Sequence, residues 1–294
     1  MDVGVLMLVG GFAAGLFGSL LGLGGGTLIV PLLTLAFGLD LRSAVGVSLV
    51  CVIMTSSAAA GVFLERHVAN LRLGMSLELF TALGALAGGF LAFVLDERVL
   101  SVLFAALLGY VSIAMLRSGT RAPGSEALGD AASADDQPVD GAGLETDTDL
   151  DLGQDRPAGD TGFIATLSGP GYTIRNFRTG VVGSAGAGLA SALLGIGGGT
   201  IKVPLMHLAM GVPLRVATAT SNLMMGITAA AGGVIYLLRG EIDPYVAGPT
   251  AVGVFLGATL GSRVSHRLDV RFLRLLFAAV LLYTAAQMLL RAAA

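Results

Sequence analysis

Two stretches of the chain set a cluster of glycines and a threonine at the junction between apolar runs. Gly22, Gly24, Gly25 and Gly26 precede Thr27, and Gly195, Gly197, Gly198 and Gly199 precede Thr200. Glycine lets a backbone leave its helix and turn successive N–H groups into one concavity. The apolar segment that restarts behind each cluster brings its positive end and a hydroxyl to the same place, which suits an oxoanion. The alternative is close helix packing alone, which small residues also serve. No Gly-Lys-Ser/Thr follows either cluster, which excludes a phosphate loop.

Lys202 is the only lysine of the chain and lies three residues past the second cluster, in an otherwise apolar segment. In a chain of mean hydropathy +0.84, such a cation sits at membrane depth, where insertion scales assign it a cost of about 2.5–3.5 kcal/mol. A substrate anion would offset that cost, as would Glu78, the only carboxylate near a span interior, placed about one helical turn inside. The alternative is snorkelling to the interface. Asn222 carries an amide that needs partners in mid-span and can donate to an anion. Ser48 and Ser221 belong to polar runs with Thr55, Ser56, Ser57, Thr218, Thr220 and Thr228, most of which are expected to bond back to their own helices. Pro31 and Pro204 each remove a backbone donor and kink the short segments. Arg42 and Arg215 close those segments, as anion attractors at a mouth or as orientation anchors.

The elements that must hold these residues are apolar helices. The 294 residues are 54% hydrophobic and 13% charged, against about 25% charged in an ordinary soluble domain. An all-α polytopic membrane protein follows. The single Cys51 provides no disulfide framework, and His67, His207 and His266 form no metal-ligand cluster. The expected spans are residues 3–21, 44–64, 73–95 and 99–116, then 179–194, 216–238, 245–261 and 272–290, with short pieces at 27–39 and 200–210. Residues 117–176 form an acidic linker without apolar periodicity, read as disordered and solvated, its last residues as an interfacial lead-in. Eleven of the twenty acids lie between Gly119 and Thr166; without that stretch 9 acids face 15 basic residues, a net of +6. A basic membrane body favours an anionic passenger.

The two halves, residues 1–116 and 177–294, repeat each other. Residues 15–32 and 188–205 are identical at twelve of eighteen positions, and the offset of 173 residues carries Ser48 onto Ser221, Thr55 onto Thr228 and Arg66 onto Arg239. An internal duplication is expected. If the short pieces re-enter on one side there are eight full spans and parallel repeats. If they cross there are ten, and the repeats are inverted. Ten crossings place eleven arginines on one face and four on the other, which the positive-inside rule favours, with the N-terminus outside and the linker cytoplasmic. Against it, thirteen helical residues reach only about 20 Å.

The spans hold no paired carboxylates, no nucleotide-binding motif and no nucleophile–base arrangement, which argues against a carboxylate relay, ATP driving and an intramembrane enzyme. The doubled GxLGxGGGxxxVPxL, followed by polar helices of LRxAxxxS type, resembles the TauE/SafE-type sulfite exporter family over residues 4–116 and 179–290. The resemblance implies a secondary transporter of small sulfur-containing or organic anions, without a cofactor or metal. The expected site comprises Gly24, Gly25, Gly26, Thr27, Gly197, Gly198, Gly199, Thr200, Lys202, Ser48, Ser221 and Asn222. Pro31, Pro204, Arg42 and Arg215 would have gating or structural roles. The expected partners are a small anion and the bilayer of the cytoplasmic membrane, with a homodimer left open and no nucleic acid. An anion channel, and a receptor or scaffold acting through the acidic linker, are the other readings.

Overall fold

A computed structural model describes residues 3–20, 26–65, 69–117, 167, 173–264 and 270–293. Among them are ten α-helices: α1 (Val3–Leu20), α2 (Gly26–Pro31), α3 (Leu41–Glu65), α4 (Leu71–Val94), α5 (Glu97–Arg117), α6 (Phe177–Leu194), α7 (Gly199–Pro204), α8 (Leu214–Leu238), α9 (Pro244–Val264) and α10 (Val270–Ala293). α2 and α7 pass directly into π-helical turns, Leu32–Ala36 and Leu205–Ala209. The starts of α2 and α7, α3 and α8, α4 and α9, and α5 and α10 are each 173 residues apart. Most of the expected linker, residues 118–166, lies outside the described residues.

The longer helices are apolar, and α4 shows how their faces are divided. Leu41–Ala58, Leu71–Val94 and Val216–Leu238 are long and apolar enough to cross a membrane, and Val3–Ser19, Gly26–Ala36 and Ala278–Leu290 are shorter apolar helices. On α4 the exposed face carries Met75, Leu79, Leu83, Leu86, Phe90 and Val94. Its buried face is made of Glu78, Thr81, Gly84, Ala85, Gly88, Gly89 and Ala92 among others. Large side chains outside and small or polar ones inside suit a helix whose solvent is lipid.

That small inner face lets backbones touch. A Cβ on Gly84 would collide with the carbonyl oxygen of Ala185, and one on Gly188 with that of Thr81. Gly84 faces Ala185 and Gly88 faces Leu189, so α4 and α6 run parallel. Gly11 faces Thr250 and Gly15 faces Val254, so α1 and α9 are parallel as well. By contrast α3 and α8 are antiparallel, with Gly46 against Tyr236, Leu49 against Gly232 and Ser56 against Gly226.

Packing therefore does not follow the order of the chain. α4 packs on α6 and α8 of the second half, and α9 packs on α1 and α3 of the first. α5 pairs with α10, where Ser112 Oγ donates to the carbonyl of Ala278 at 2.9 Å. The short segments also have a defined course. Gly198 lies against Ser191, Gly183 against Leu205 and Gly180 against Met210. The Arg175 N–H donates to the Met210 carbonyl at 3.0 Å. The chain from 198 to 210 thus retraces α6 to the end at which α6 began. Gly10 meets Leu32 in the same way in the first half.

Candidate functional site

The second helix break is built locally. Gly195 caps α6 in the left-handed conformation (φ 68°), its N–H donating to the Ser191 carbonyl, and Gly197 and Gly198 follow at φ 73° and 75°. Three left-handed residues within four positions are accessible only to glycine at low cost. Gly198 then caps α7, and the N–H groups of Ile201 and Lys202 donate to its carbonyl. Pro31 and Pro204 lack the donors that would reach the carbonyls of Thr27 and Thr200. The chain answers with the wider π turns just beyond, a geometry often found at functional sites.

The two breaks meet. A Cβ on Gly26 would lie 2.5 Å from the carbonyl oxygen of Gly195, and one on Gly197 would lie 2.7 Å from Val52 of α3. Ser48 of α3 ties them together, its hydroxyl within reach of the Gly195 carbonyl at 2.7 Å and the Gly26 carbonyl at 3.3 Å. The hydroxyl oxygens of Thr27, Thr200, Ser184, Ser191, Thr218 and Ser221 are buried without a hydrogen-bond partner among the described residues; Thr27 follows Gly26 directly, Thr200 follows Gly199, and Ser191 lies against Gly198. Buried hydroxyls are normally paired, and an unpaired one costs about 1–3 kcal/mol. Ser184 and Ser191 carried no sequence signal, since they read as small residues on a packing face.

Of the other expected site residues, Gly26, Thr27, Ser48, Gly197 and Gly198 lie at or beside the crossover, and Gly199 packs against Met225. Asn222, 8% exposed, accepts a hydrogen bond at its backbone carbonyl from Ser56 of α3. Gly24 and Gly25 lie outside the described residues, as does the side chain of Arg215. Arg42 sits at the start of α3, with its guanidinium 2.8 Å from the Leu95 carbonyl and 5.5 Å from the centre of the Phe93 ring. Arg239 lies 5.1 Å from the same ring. That end also holds a cavity of about 210 Å³ lined by Thr34, Leu41, Glu97, Arg98 and Met288 among others, away from the glycine crossover.

Lys202 does not snorkel. It is 1% exposed, and its ammonium lies 3.2 Å from Glu78 Oε2 and 2.5 Å from Thr228 Oγ1. Glu78 is 4% exposed and sits two turns into α4, deeper than its sequence position alone suggested. Thr228 Oγ1 lies 2.7 Å from Glu78 Oε1 and 3.0 Å from the Met224 carbonyl. The cation is therefore compensated within the protein, by a carboxylate 124 positions away in sequence.

A sequence profile of the family described as Sulfite exporter TauE/SafE matches residues 7–288. The probable membrane transporter protein YunE of Bacillus subtilis (strain 168) is 23% identical over 296 residues, 97% of each chain. The probable membrane transporter protein MamO of Magnetospirillum gryphiswaldense is 27% identical over 301 residues, 98% of this chain and 44% of MamO. Sulfite exporter TauE/SafE family protein 6 of Arabidopsis thaliana is 38% identical over 88 residues, 30% of this chain and 20% of that one. No solved structure matches. The profile spans both glycine breaks, Glu78 and Lys202, and the chain belongs to the TauE/SafE sulfite exporter family of membrane transporters.

Proposed function

We propose that this protein is a secondary transporter that exports a small anion, sulfite or an organosulfonate or organic acid, across the cytoplasmic membrane. The observation that carries the reading is the crossover itself. Two glycine breaks lie against each other, bridged by Ser48, with the hydroxyls of Thr27 and Thr200 buried at the start of the segments that follow them and without a partner among the described residues. A small anion supplies acceptors for those hydroxyls, and the basic membrane body draws it in. Broken helices in lipid are tolerated where they line such a site.

The same reading takes the chain as an internal duplication with inverted repeats and ten crossings. Its support is the constant 173-residue spacing of the helix starts, the antiparallel course of the counterparts α3 and α8, and the return of the short segments along the helices before them. Alternating access then moves the bundle α1, α2, α3 and α9 against the bundle α4, α6, α7 and α8. The moving unit is not one half of the sequence against the other, because α4 and α9 are exchanged. Sites at the interface of such repeats are accessible from either side in turn.

The purified protein, screened by thermal stabilisation with sulfite, sulfoacetate, thiosulfate and small carboxylates and then by flux in proteoliposomes, tests the reading. Binding raises apparent stability by mass action. Stabilisation by at least one anion, with saturable flux of the same anion, is expected. Neither stabilisation nor flux by any of them would remove the proposal.

A further inference from the structure

Lys202, Glu78 and Thr228 form a closed ionic cluster joining α7, α4 and α8. Packing does not require it. At the positions 173 residues away the chain carries Ile29, Ala251 and Thr55. Ile29 and Ala251 are buried there (0% and 5% exposed), and Thr55 donates to its own helix at the Val52 carbonyl. The fold therefore accepts an apolar solution at the equivalent place. A buried ion pair is also a weak source of stability against such a replacement. Its retention on one side only calls for a role in function.

Resting on the anion-transport reading, we propose that this cluster couples anion binding to proton binding by exchange of partners. An arriving anion takes the Lys202 ammonium from Glu78, and Glu78 binds one proton from water. An O–H bond forms on the carboxylate, no covalent bond breaks, and nothing is oxidised or reduced. Before the exchange the cluster is ammonium and carboxylate; afterwards it is ammonium, anion and carboxylic acid. For a monovalent anion the net charge stays zero in both states. A carboxylate left alone in this apolar surrounding would be uncompensated, which the membrane interior disfavours.

Three features of the geometry fit the exchange. The Lys202 stem runs beside the second glycine break, with Cε 3.6 Å from where a Cβ on Gly198 would sit, so side-chain rotation carries the ammonium from Glu78 toward the crossover. Thr228 serves both states of Glu78. Its oxygen is in reach of Lys202, and its single proton is in reach of both Glu78 Oε1 and the Met224 carbonyl. It donates to the ionised carboxylate; after protonation it turns to the Met224 carbonyl and accepts from the carboxylic acid. Finally, no other described charge competes. On the elements packed around Glu78, Arg72, Arg178, His207 and Arg239 are exposed, and Tyr236 gives its hydroxyl proton to the Ala192 carbonyl. The side chain of Arg215, at the start of α8, lies outside the described residues. This is one carboxyl trading partners, not a relay of several. Transport of the monovalent anion becomes electroneutral, its direction set by the sum of the anion and proton gradients.

Calorimetry of methanesulfonate and of sulfite binding to the full-length protein, in buffers of different ionisation enthalpy, counts the protons taken up; methanesulfonate has no group that titrates near neutrality. About one proton per methanesulfonate is expected, with affinity falling toward tenfold per pH unit as the pH rises above neutrality. In Glu78→Gln the anion should bind with no proton uptake and a flat pH profile. Should that variant fail to fold, the wild-type proton count decides alone. Binding of either anion without proton uptake by methanesulfonate or any pH dependence overturns the coupling and leaves the transporter reading standing. Binding of neither anion overturns the anion site and the coupling together.

Discussion

The hydroxyl of Ser48 lies 2.7 Å from the carbonyl oxygen of Gly195, 147 residues further along the chain. Through this bond α3 holds the second glycine break against the first, so the crossover is a single object contributed by both parts of the sequence. Ser48→Ala removes the donor described for the Gly195 carbonyl. Leaving that buried acceptor unpaired costs about 1–3 kcal/mol. A lower melting temperature in detergent and a weaker anion-induced stabilisation are expected. An unchanged melting temperature would show that the bridge contributes nothing.

The Lys202–Glu78 pair sets a second expectation. Lys202→Met leaves Glu78 in the interior without its cation, and breaking one side of a buried pair costs about 3–5 kcal/mol. The double replacement Lys202→Met with Glu78→Gln removes both charges and should recover most of that loss, as the Ile29 and Ala251 packing illustrates. Chemical denaturation in a mild detergent measures both. Equal destabilisation in the single and double variants would deny the pairing.

Close approach of helices gives a paired test. Gly188→Leu places a side chain against the backbone of Thr81 and should abolish a monodisperse preparation. Gly109, within α5, has nothing within 4 Å of its added Cβ. There Gly109→Ala should stabilise the helix by about 0.5–1 kcal/mol, the usual preference for alanine. Tolerance of the first, read by size-exclusion chromatography, would contradict the contact between α4 and α6.

Repeat orientation is open to labelling. Arg72 and Tyr245 are counterparts 173 residues apart, each exposed near the start of its helix, α4 or α9. In a Cys51→Ala background, Arg72→Cys and Tyr245→Cys should react with a membrane-impermeant maleimide from opposite sides. Labelling of both from one side would establish parallel repeats.

Much of the candidate site was legible in the sequence because its signals are local. Glycine clusters, prolines and a lone lysine announce a broken helix and a buried charge without knowledge of any partner. Glu78 could be named as that partner only by elimination, as the sole carboxylate near a span interior; its distance to Lys202 depends on α4 packing against the second half. That exchange of α4 and α9 left no trace in the sequence, since Gly84 and Gly188 fit any close neighbour. Nor was the course of the short segments legible: thirteen residues looked too few to cross, but the retraced helix α6 is itself only 18 residues long. Leu167 is a further surprise. Inside the acidic linker it is 4% exposed, and its carbonyl accepts from the Asn70 amide at 2.8 Å. Deleting residues 122–160 should spare transport, whereas extending the deletion through Leu167 should lower stability.

On the proposed reading the crossover binds the transported anion. Counterflow of radiolabelled sulfite in proteoliposomes decides this by comparing the wild type with the double variant Thr27→Val and Thr200→Val. Valine keeps the shape and removes both hydroxyls. Saturable counterflow in the wild type, reduced at least ~10-fold in a variant that remains folded, is expected; that factor corresponds to about 1.4 kcal/mol. Undiminished saturable counterflow in the double variant would place the anion elsewhere.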